Sequence, residues 1–526
     1  MARAEGAAGA AARAAAPAAP NPRRWISLGA LALAAAIVWL ASSDLTVALT
    51  DIADDLGGSM TSLQWAVTIF TLSTGALVAT GGRLADVFGR RSFLELGLVI
   101  LAVASVIAAV SQGTPLLIVG RALMGVGAAL ILPATLAIIP VEFKGREQVT
   151  AFSVWMAVAG AGQALGPMVG GGLTQALSWR WIFWVDIPLC LAAFLILRAT
   201  TPESRAEGAP HSIDVLGLVT LSGGLVALLF ALNEGPTDGW GSPLILGMIA
   251  VAVASLVACL LIERRVHNPL IDLTLFRRHS FDGALIDNFA YNITLGGTMY
   301  VMTLYFINVE GKDPFTAGLL LLPSTIAMLA LIPVGGRVGI ARGPRLPLAV
   351  GTAIMGAGTL MLGFLGDETA YWWIATGLAV QALGMGLFST PLSDTAVGLA
   401  PPAESGAASG LFKTASMVGG SFGVAIFAAL MKAFGFPRFN SDVDGLGLSA
   451  KQANDIENAA TGSDSFHKMV ETLPADAQHK VVAAAHDAYA YGIGMSLKVG
   501  MVVAVLALVG VLVFVPKGIL HGKDES

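Results

Sequence analysis

Ionisable residues that stand inside otherwise apolar stretches include Asp44, Arg121, Asp287 and Asp394. Charge is costly in such a setting, so these side chains are expected to face a protein interior or a water-filled cavity and to be functional. A carboxyl there can exchange a proton or pair with a cationic ligand, and an arginine can hold a carboxylate. Asp287 has the richest surroundings. Asp287, Tyr291, Thr294, Thr298, Met302 and Tyr305 recur at helical spacing, flanked by Asn288 and Asn292, while Leu285, Ile286, Phe289, Ala290 and Ile293 cover the opposite side. One polar and one apolar stripe predict a helix with one face on a cavity and one on lipid or packing. Asp394 has Thr390 and Pro391 a turn away, and Lys413 on the following apolar run is placed to neutralise it. Asp86 stands four residues before Arg90, close enough to pair across a helical turn. Asp54 and Asp55 read as solvated loop charges.

The elements that must carry these residues are apolar runs. The chain has 526 residues, of which 55% are hydrophobic and 12% charged, against about 25% charged in soluble domains. Runs of about 20 residues, long enough to cross a hydrocarbon core of about 30 Å, recur from Trp25 to Pro516. The fold class is an all-α membrane protein of fourteen spans: 25–48, 63–82, 93–111, 116–140, 149–172, 182–199, 214–233, 244–262, 281–307, 316–336, 347–366, 372–398, 407–432 and 489–516. Residues 1–22 read as a disordered cytoplasmic tail. Residues 23–199 form a first six-helix bundle, 200–280 two inserted helices with a linker, 281–516 a second six-helix bundle, and 517–526 a cytoplasmic tail. Residues 433–488 form an extracytoplasmic loop or hairpin. Arg and Lys concentrate on one set of loops (Arg23, Arg24, Arg83, Arg90, Arg91, Lys144, Arg146, Arg264, Arg265, Arg337, Arg342, Arg345), which places both termini in the cytoplasm of a plasma (inner) membrane protein. Cys190 and Cys259 lie inside spans, so no disulfide framework is indicated.

An internal repeat supports two halves. Gly81-Gly82-Arg83-Leu84 closes the second span and Gly335-Gly336-Arg337-Val338 the tenth, and a basic, glycine-containing turn follows each. Parallel six-span halves are a known transporter plan. The first turn, with Gly82, Leu84, Ala85, Asp86, Gly89, Arg90 and Arg91, resembles the inter-span signature of the major facilitator superfamily. The second copy keeps Gly336, Gly343, Pro344 and Arg345, with Ile340 at the acid position. Arg121, Gly125, Gly127, Ala128 and Ala129 resemble a second motif of that family, with Met124 where Gln is usual. Gly162, Gly166, Pro167, Gly170 and Gly171 resemble the signature of its exporting, proton-antiport branch. Trp179-Arg180-Trp181-Ile182-Phe183 and Asp186-Ile187-Pro188 extend the match, with Asp186 where Asn is usual. With fourteen spans, the chain resembles the 14-span drug:proton antiporter family. One departure concerns the first span, where Ala41 occupies the family's usual acid position and Asp44 lies three residues on.

The resemblance implies efflux of small amphipathic drugs or similar lipophilic compounds by alternating access, driven by the proton motive force without a cofactor. It implies a cytoplasmic gate at Gly82, Asp86, Gly89, Arg90 and Arg91, and a role for Arg121 in proton coupling. Acids in the cavity favour lipophilic cations, while Arg121 leaves anions open. The alternatives are export or flipping of lipids, glycolipids or an endogenous metabolite, and a non-transporting receptor or scaffold. No phosphate-binding loop or metal-ligand spacing appears in the sequence, so neither an enzyme, nor a metal site, nor a nucleic-acid partner is expected, and the chain reads as a monomer.

Overall fold

The computed structural model describes residues 21–57, 60–206, 214–266, 279–401, 404–443 and 469–518. The tail 1–20, the linker 267–278 and the middle of the outer segment, 444–468, lie outside the described residues. Fourteen long helices account for most of the rest: α1 (Arg24–Ser43), α2 (Met60–Phe88), α3 (Arg90–Ala109), α4 (Thr114–Glu142), α5 (Gly145–Ala176), α6 (Arg180–Thr200), α7 (Val215–Asp238), α8 (Pro243–Glu263), α9 (His279–Asn308), α10 (Leu322–Arg342), α11 (Arg345–Leu362), α12 (Tyr371–Ser393), α13 (Ser405–Val443) and α14 (Ala475–Phe514). Helix is the expected outcome, because a chain crossing hydrocarbon must satisfy its backbone polar groups within each segment.

Thirteen helices among the described residues are long and apolar enough to cross a membrane. Of the fourteen helices above, α9 is the one that falls short of that apolar character. That helix is 30 residues long, but Asp282, Asp287, Asn288, Asn292 and its threonines lower its apolar character. It does not need a lipid-facing surface all round, because α13 and α14 pack against it and Asp287, Asn288, Thr294 and Thr298 are buried. The other end of the range is α8, whose Leu244, Leu246, Val251, Val253, Val257 and Leu261 face outward, as a lipid-bathed helix requires.

Helices α1–α6 pack together, as do α9–α14, while α7 and α8 pair with each other and α7 lies against α2 and α13. The seam between the two bundles is made by α2 and α4 on α13, and by α5 on α10. The second helix of each bundle thus meets the fifth helix of the other, the exchange that a twofold relation between the halves demands. Glycines make both contacts possible. A methyl group added at Gly82 would collide with the carbonyl of Gly406, and one added at Gly336 with the hydroxyl of Ser153.

Two helices outrun the bilayer. α13 and α14 contain 39 and 40 residues, about 60 Å each at the helical rise. Beyond the apolar runs they pack on one another through Phe439, Val443, Val470, Leu473, Val481, Ala484 and Ala488, and Arg438 pairs with Asp487 at 2.9 Å and with Asp442 at 3.3 Å. Apart from 469–474, the described residues of the 433–488 segment are therefore helical extensions of the last two spans.

Candidate functional site

The geometry begins with the glycine stripe of α5. Gly162, Gly166 and Gly170 recur every four residues and face α1, where an added methyl would collide with the carbonyl of Ala36, the hydroxyl of Ser43 and the carbonyl of Asp44, respectively. Small residues at this spacing let two backbones touch. Gly171 is buried beside them, and Pro167 lies within an otherwise continuous helix. Against this stripe α1 stops at Ser43, and a short 3-10 turn (Leu45–Ala48) carries the chain on. Asp44 sits at that break, on the outer part of the span.

Asp44 and Arg121 are brought together, and a residue not expected in the site joins them. Asp44, Arg121 and Asp186 are each at most 1% exposed. Arg121 faces the charges of both Asp44 and Asp186. Its guanidinium donates to the carbonyls of Ala66 (3.0 Å) and Ala41 (2.8 Å) and lies 4.5 Å from the centre of the Phe70 ring. Arg121 is fully buried and does not reach toward the membrane surface. The position where the resemblance expects an acid, Ala41, thus supplies a carbonyl instead, and the acid comes from one turn further out. Asp186, on α6, accepts from Ser105 at 3.1 Å, and neither oxygen of Asp44 receives a hydrogen bond from another side chain. The sequence signal for Asp186 was its place in an apolar run where asparagine is usual. Ser105 carried no signal.

At the basic face the charged turn does what its spacing predicted and more. Arg90 donates to Asp86 through Nε at 2.9 Å and Nη2 at 2.6 Å, with both side chains buried. The same carboxylate accepts from the backbone N–H groups of Gly406 (3.0 Å) and Ala407 (2.8 Å) in the first turn of α13. These N–H groups have no partner within their own helix, and the helix dipole favours an anion there. Asp86 therefore joins the first bundle to the second. Gly89 has φ +122° and leaves no room for a side chain, because Glu203 fills the space a Cβ would take. Glu203, unforeseen from the sequence, accepts from the N–H groups of Arg91 and Ser92 at the start of α3.

Asp394 also lies on the seam, in a π turn (Asp394–Gly398) at the end of α12. It accepts from Gln148 of α5 at 2.8 Å, and Gln148 donates to the Gly398 carbonyl at 3.1 Å. Lys413 does not turn to Asp394 as expected; its ammonium lies over three aromatic rings. The rest of the predicted polar stripe is packed inside the second bundle. Asp287 accepts from Thr352 of α11 at 3.1 Å, and its other oxygen has no partner among the described residues. Asn288 donates to the Phe412 carbonyl (2.7 Å) and to Ser416 (3.0 Å) of α13. Asn292 donates to the Asn288 carbonyl at 2.7 Å. Tyr291 meets Phe388 edge-on at 5.2 Å. Thr298 accepts from Gln381 at 2.9 Å, and Gln381 also donates to Thr359 at 2.8 Å. In this conformation the stripe is an interhelical hydrogen-bond face, and Asp287 is separate from the Asp44–Arg121–Asp186 cluster.

The side-chain hydrogen bonds that join the bundles lie on the basic half among the described residues: Asp86 to Gly406 and Ala407, Gln148 to Asp394 and Gly398, Ser405 to Ala137, and Ser409 to Pro133. The molecule is latched on one face. Two six-helix bundles with intramembrane acids and a one-sided seam define a membrane transporter. The chain belongs to the Major Facilitator Superfamily, which it matches over residues 31–424. It is 31% identical over 493 residues to the tetracenomycin C resistance and export protein of Streptomyces glaucescens, covering 92% of this chain and 90% of that one. It is 34% identical over 416 residues to the puromycin resistance protein pur8 of Streptomyces alboniger (77% and 82% covered), and 31% identical over 403 residues to the quinolone resistance protein NorB of Staphylococcus aureus (76% and 87% covered). The fold is shared with the human organic anion transporter MFSD10 (TM-score 0.61, 12% identity, 93% of this chain and 99% of that one). It is also shared with the proton:xylose symporter XylE (TM-score 0.60, 14% identity, 94% and 98%).

Proposed function

We propose that this protein is a proton-driven exporter of small amphipathic, drug-like compounds, working by alternating access in a plasma (inner) membrane with both termini in the cytoplasm. The observation that carries the reading is the one-sided latch. With the basic face closed by Asp86 and Gln148, substrate leaves on the opposite side, and breaking these few bonds is what the return to the inward state requires. The orientation follows from the basic loops, and the drug-like substrate class from the resistance and export relatives.

Proton coupling is assigned to Asp44, Arg121 and Asp186. Two buried carboxyls face the charge of one guanidinium, so one negative charge is left over when both are ionised. Burying an uncompensated charge is strongly unfavourable, and taking up one proton removes it. Proton gain and loss at this cluster therefore changes the charge held between α1, α4 and α6. The α5 stripe passes that change to the bundle seam through its contact with the Asp44 backbone. Movement of one charge across 100 mV supplies about 2.3 kcal/mol, enough to support a concentration gradient of roughly 50-fold at about 1.4 kcal/mol per decade. The test is uptake of a fluorescent drug into inverted vesicles. Accumulation should collapse on adding a protonophore and should be lost in Asp44→Asn. Accumulation that persisted after the gradient was dissipated would refute proton coupling.

A further inference from the structure

Lys413 is a cation in an unusual place. It is 6% exposed, and its ammonium lies 5.6 Å from the ring centre of Trp39, 5.1 Å from that of Trp155 and 5.7 Å from that of Phe412. It meets no carboxylate and no hydrogen-bond acceptor among the described residues. The buried acids are engaged elsewhere: Asp44 and Asp186 face Arg121, Asp86 holds Arg90, Asp287 is bonded to Thr352 and Asp394 to Gln148. Beside the ammonium stands a second donor without an acceptor. Trp155 is 1% exposed, and its indole N–H has no partner among the described residues. Ring faces within about 6 Å ease the burial of a cation, but they accept no hydrogen bond of ordinary strength. A largely buried ammonium and a buried indole N–H, neither with an acceptor among the described residues, describe a site one anion short.

The cage lies at the seam of the two bundles. Trp39 and Trp155 belong to α1 and α5 of the first bundle and Lys413 to α13 of the second, so the ammonium lies between the bundles. From the basic ends of their helices, Lys413 and Trp155 are about 12 and 15 Å into the membrane, beyond the latch. We infer that the Lys413–Trp39–Trp155 cage binds the acidic group of planar aromatic substrates bearing a carboxylate or an ionised phenol. The ammonium pairs with the anion, the Trp155 N–H donates to it, and the indole faces cover the aromatic body. A lipophilic cation, the class that the sequence favours through its acids, meets repulsion here. This inference rests on the export reading above and narrows its substrate class.

The test uses the full-length protein in proteoliposomes with three pyrene probes: pyrenebutyrate, its methyl ester, and a trimethylammonium analogue. Binding of pyrenebutyrate to the purified protein is measured in parallel. Wild-type protein should transport the acid with a KM at least tenfold below that of the ester and should handle the cation poorly. Lys413→Met should raise the KM and Kd for pyrenebutyrate at least tenfold while moving those for the ester less than twofold. Lys413→Arg should restore most of the difference. Trp155→Phe, which keeps a ring and removes the N–H, should cost the acid three- to tenfold. The methionine variant is expected to fold, since it removes a buried charge without an anionic partner. Equal losses for acid and ester, or preferred transport of the cation, would overturn the inference while leaving export standing. Binding of phosphatidylglycerol that is lost in Lys413→Met, with no binding of pyrenebutyrate to the wild-type protein, would also overturn it, in favour of a lipid headgroup. A wild-type protein that moved none of the three probes would refute the export reading itself.

Discussion

Replacing Asp86 by asparagine should unlatch the basic face. Asp86 accepts two hydrogen bonds from Arg90 within its own bundle and two across the seam from Gly406 and Ala407. Only the second pair breaks when the bundles part, so only that pair biases the equilibrium between the two access states. A hydrogen bond to a charged group contributes about 1.5–3 kcal/mol and a neutral one about 0.5–1.5 kcal/mol, so the substitution gives up about 1 kcal/mol per bond and about 2 kcal/mol in all. That corresponds to a shift of about 30-fold toward the state open at the basic face. The assay is pulsed dipolar spectroscopy with nitroxides at Arg146 and Arg342, which are exposed on that face in opposite bundles, after removal of Cys190 and Cys259. Asp86→Asn should raise the long-distance population by about that factor. Arg90→Met, which spares the bonds across the seam, should leave it low. An unchanged distribution in Asp86→Asn, accompanied by a lower melting temperature, would mean that Asp86 holds the α2–α3 turn together and is no latch.

Gly170→Ala should abolish export and destabilise the protein by about 1–3 kcal/mol through overpacking, because its methyl would strike the Asp44 carbonyl, whereas Gly172→Ala, with nothing within 4 Å of an added Cβ, should behave as wild type in transport and thermal melting. Asp287→Asn can keep the bond from Thr352; it should leave proton-driven uptake within about twofold of wild type, and a loss of proton-driven uptake with downhill efflux intact would add Asp287 to the coupling groups. On the face opposite the basic one, Arg180, and then the Trp179 indole, hold the Asp55 carboxyl below the usual carboxylate range. The stability this gives is complete above the unfolded-state value of about 4 and fades as the pH falls through the lower folded value. The melting difference between wild type and Asp55→Asn should therefore be flat from about pH 8 to 5, close below about pH 4, and shrink in high salt, as befits a half-exposed pair. A difference that grew on acidification would refute the pairing.

What was legible in the sequence was whatever repeats along one chain segment. The spans follow from apolar runs, the Asp86–Arg90 pair from a four-residue spacing, and the close α1–α5 contact from glycines at the same spacing. What was not legible depends on which segments meet. Gln148 is one polar residue in a basic loop until α12 brings Asp394 to it. Lys413 lies on the run after Asp394, and sequence proximity suggested neutralisation; the helix instead turns it toward α1 and α5. Asp55, expected to be a solvated charge, pairs with Arg180 because α6 begins beside it. The amphipathic pattern of α9 correctly marked a polar face, but periodicity alone cannot tell a water-lined face from one satisfied by Thr352, Gln381 and Ser416.

The placement of charge constrains how coupling can work. The acids and Arg121 lie within the first bundle, Asp287 lies within the second, and the cation between them is Lys413. On the proposed mechanism, proton and substrate do not compete for one carboxylate, since the groups that hold them are on different elements. They are joined through α1 and α5. α1 ends at Asp44 and carries Trp39 five residues earlier; α5 carries Gly170, which meets Asp44, and, seven residues before the first glycine of the stripe, Trp155. These two helices pack without a side-chain cushion, so a shift of the Asp44 backbone moves α5 with it. Protonation of the cluster would then alter the spacing of the two indoles around Lys413 without any proton reaching the cage. A glycine-to-alanine change in the stripe should accordingly uncouple transport before it weakens binding of an acidic probe. Loss of binding with coupling intact would show that the stripe shapes the cage directly.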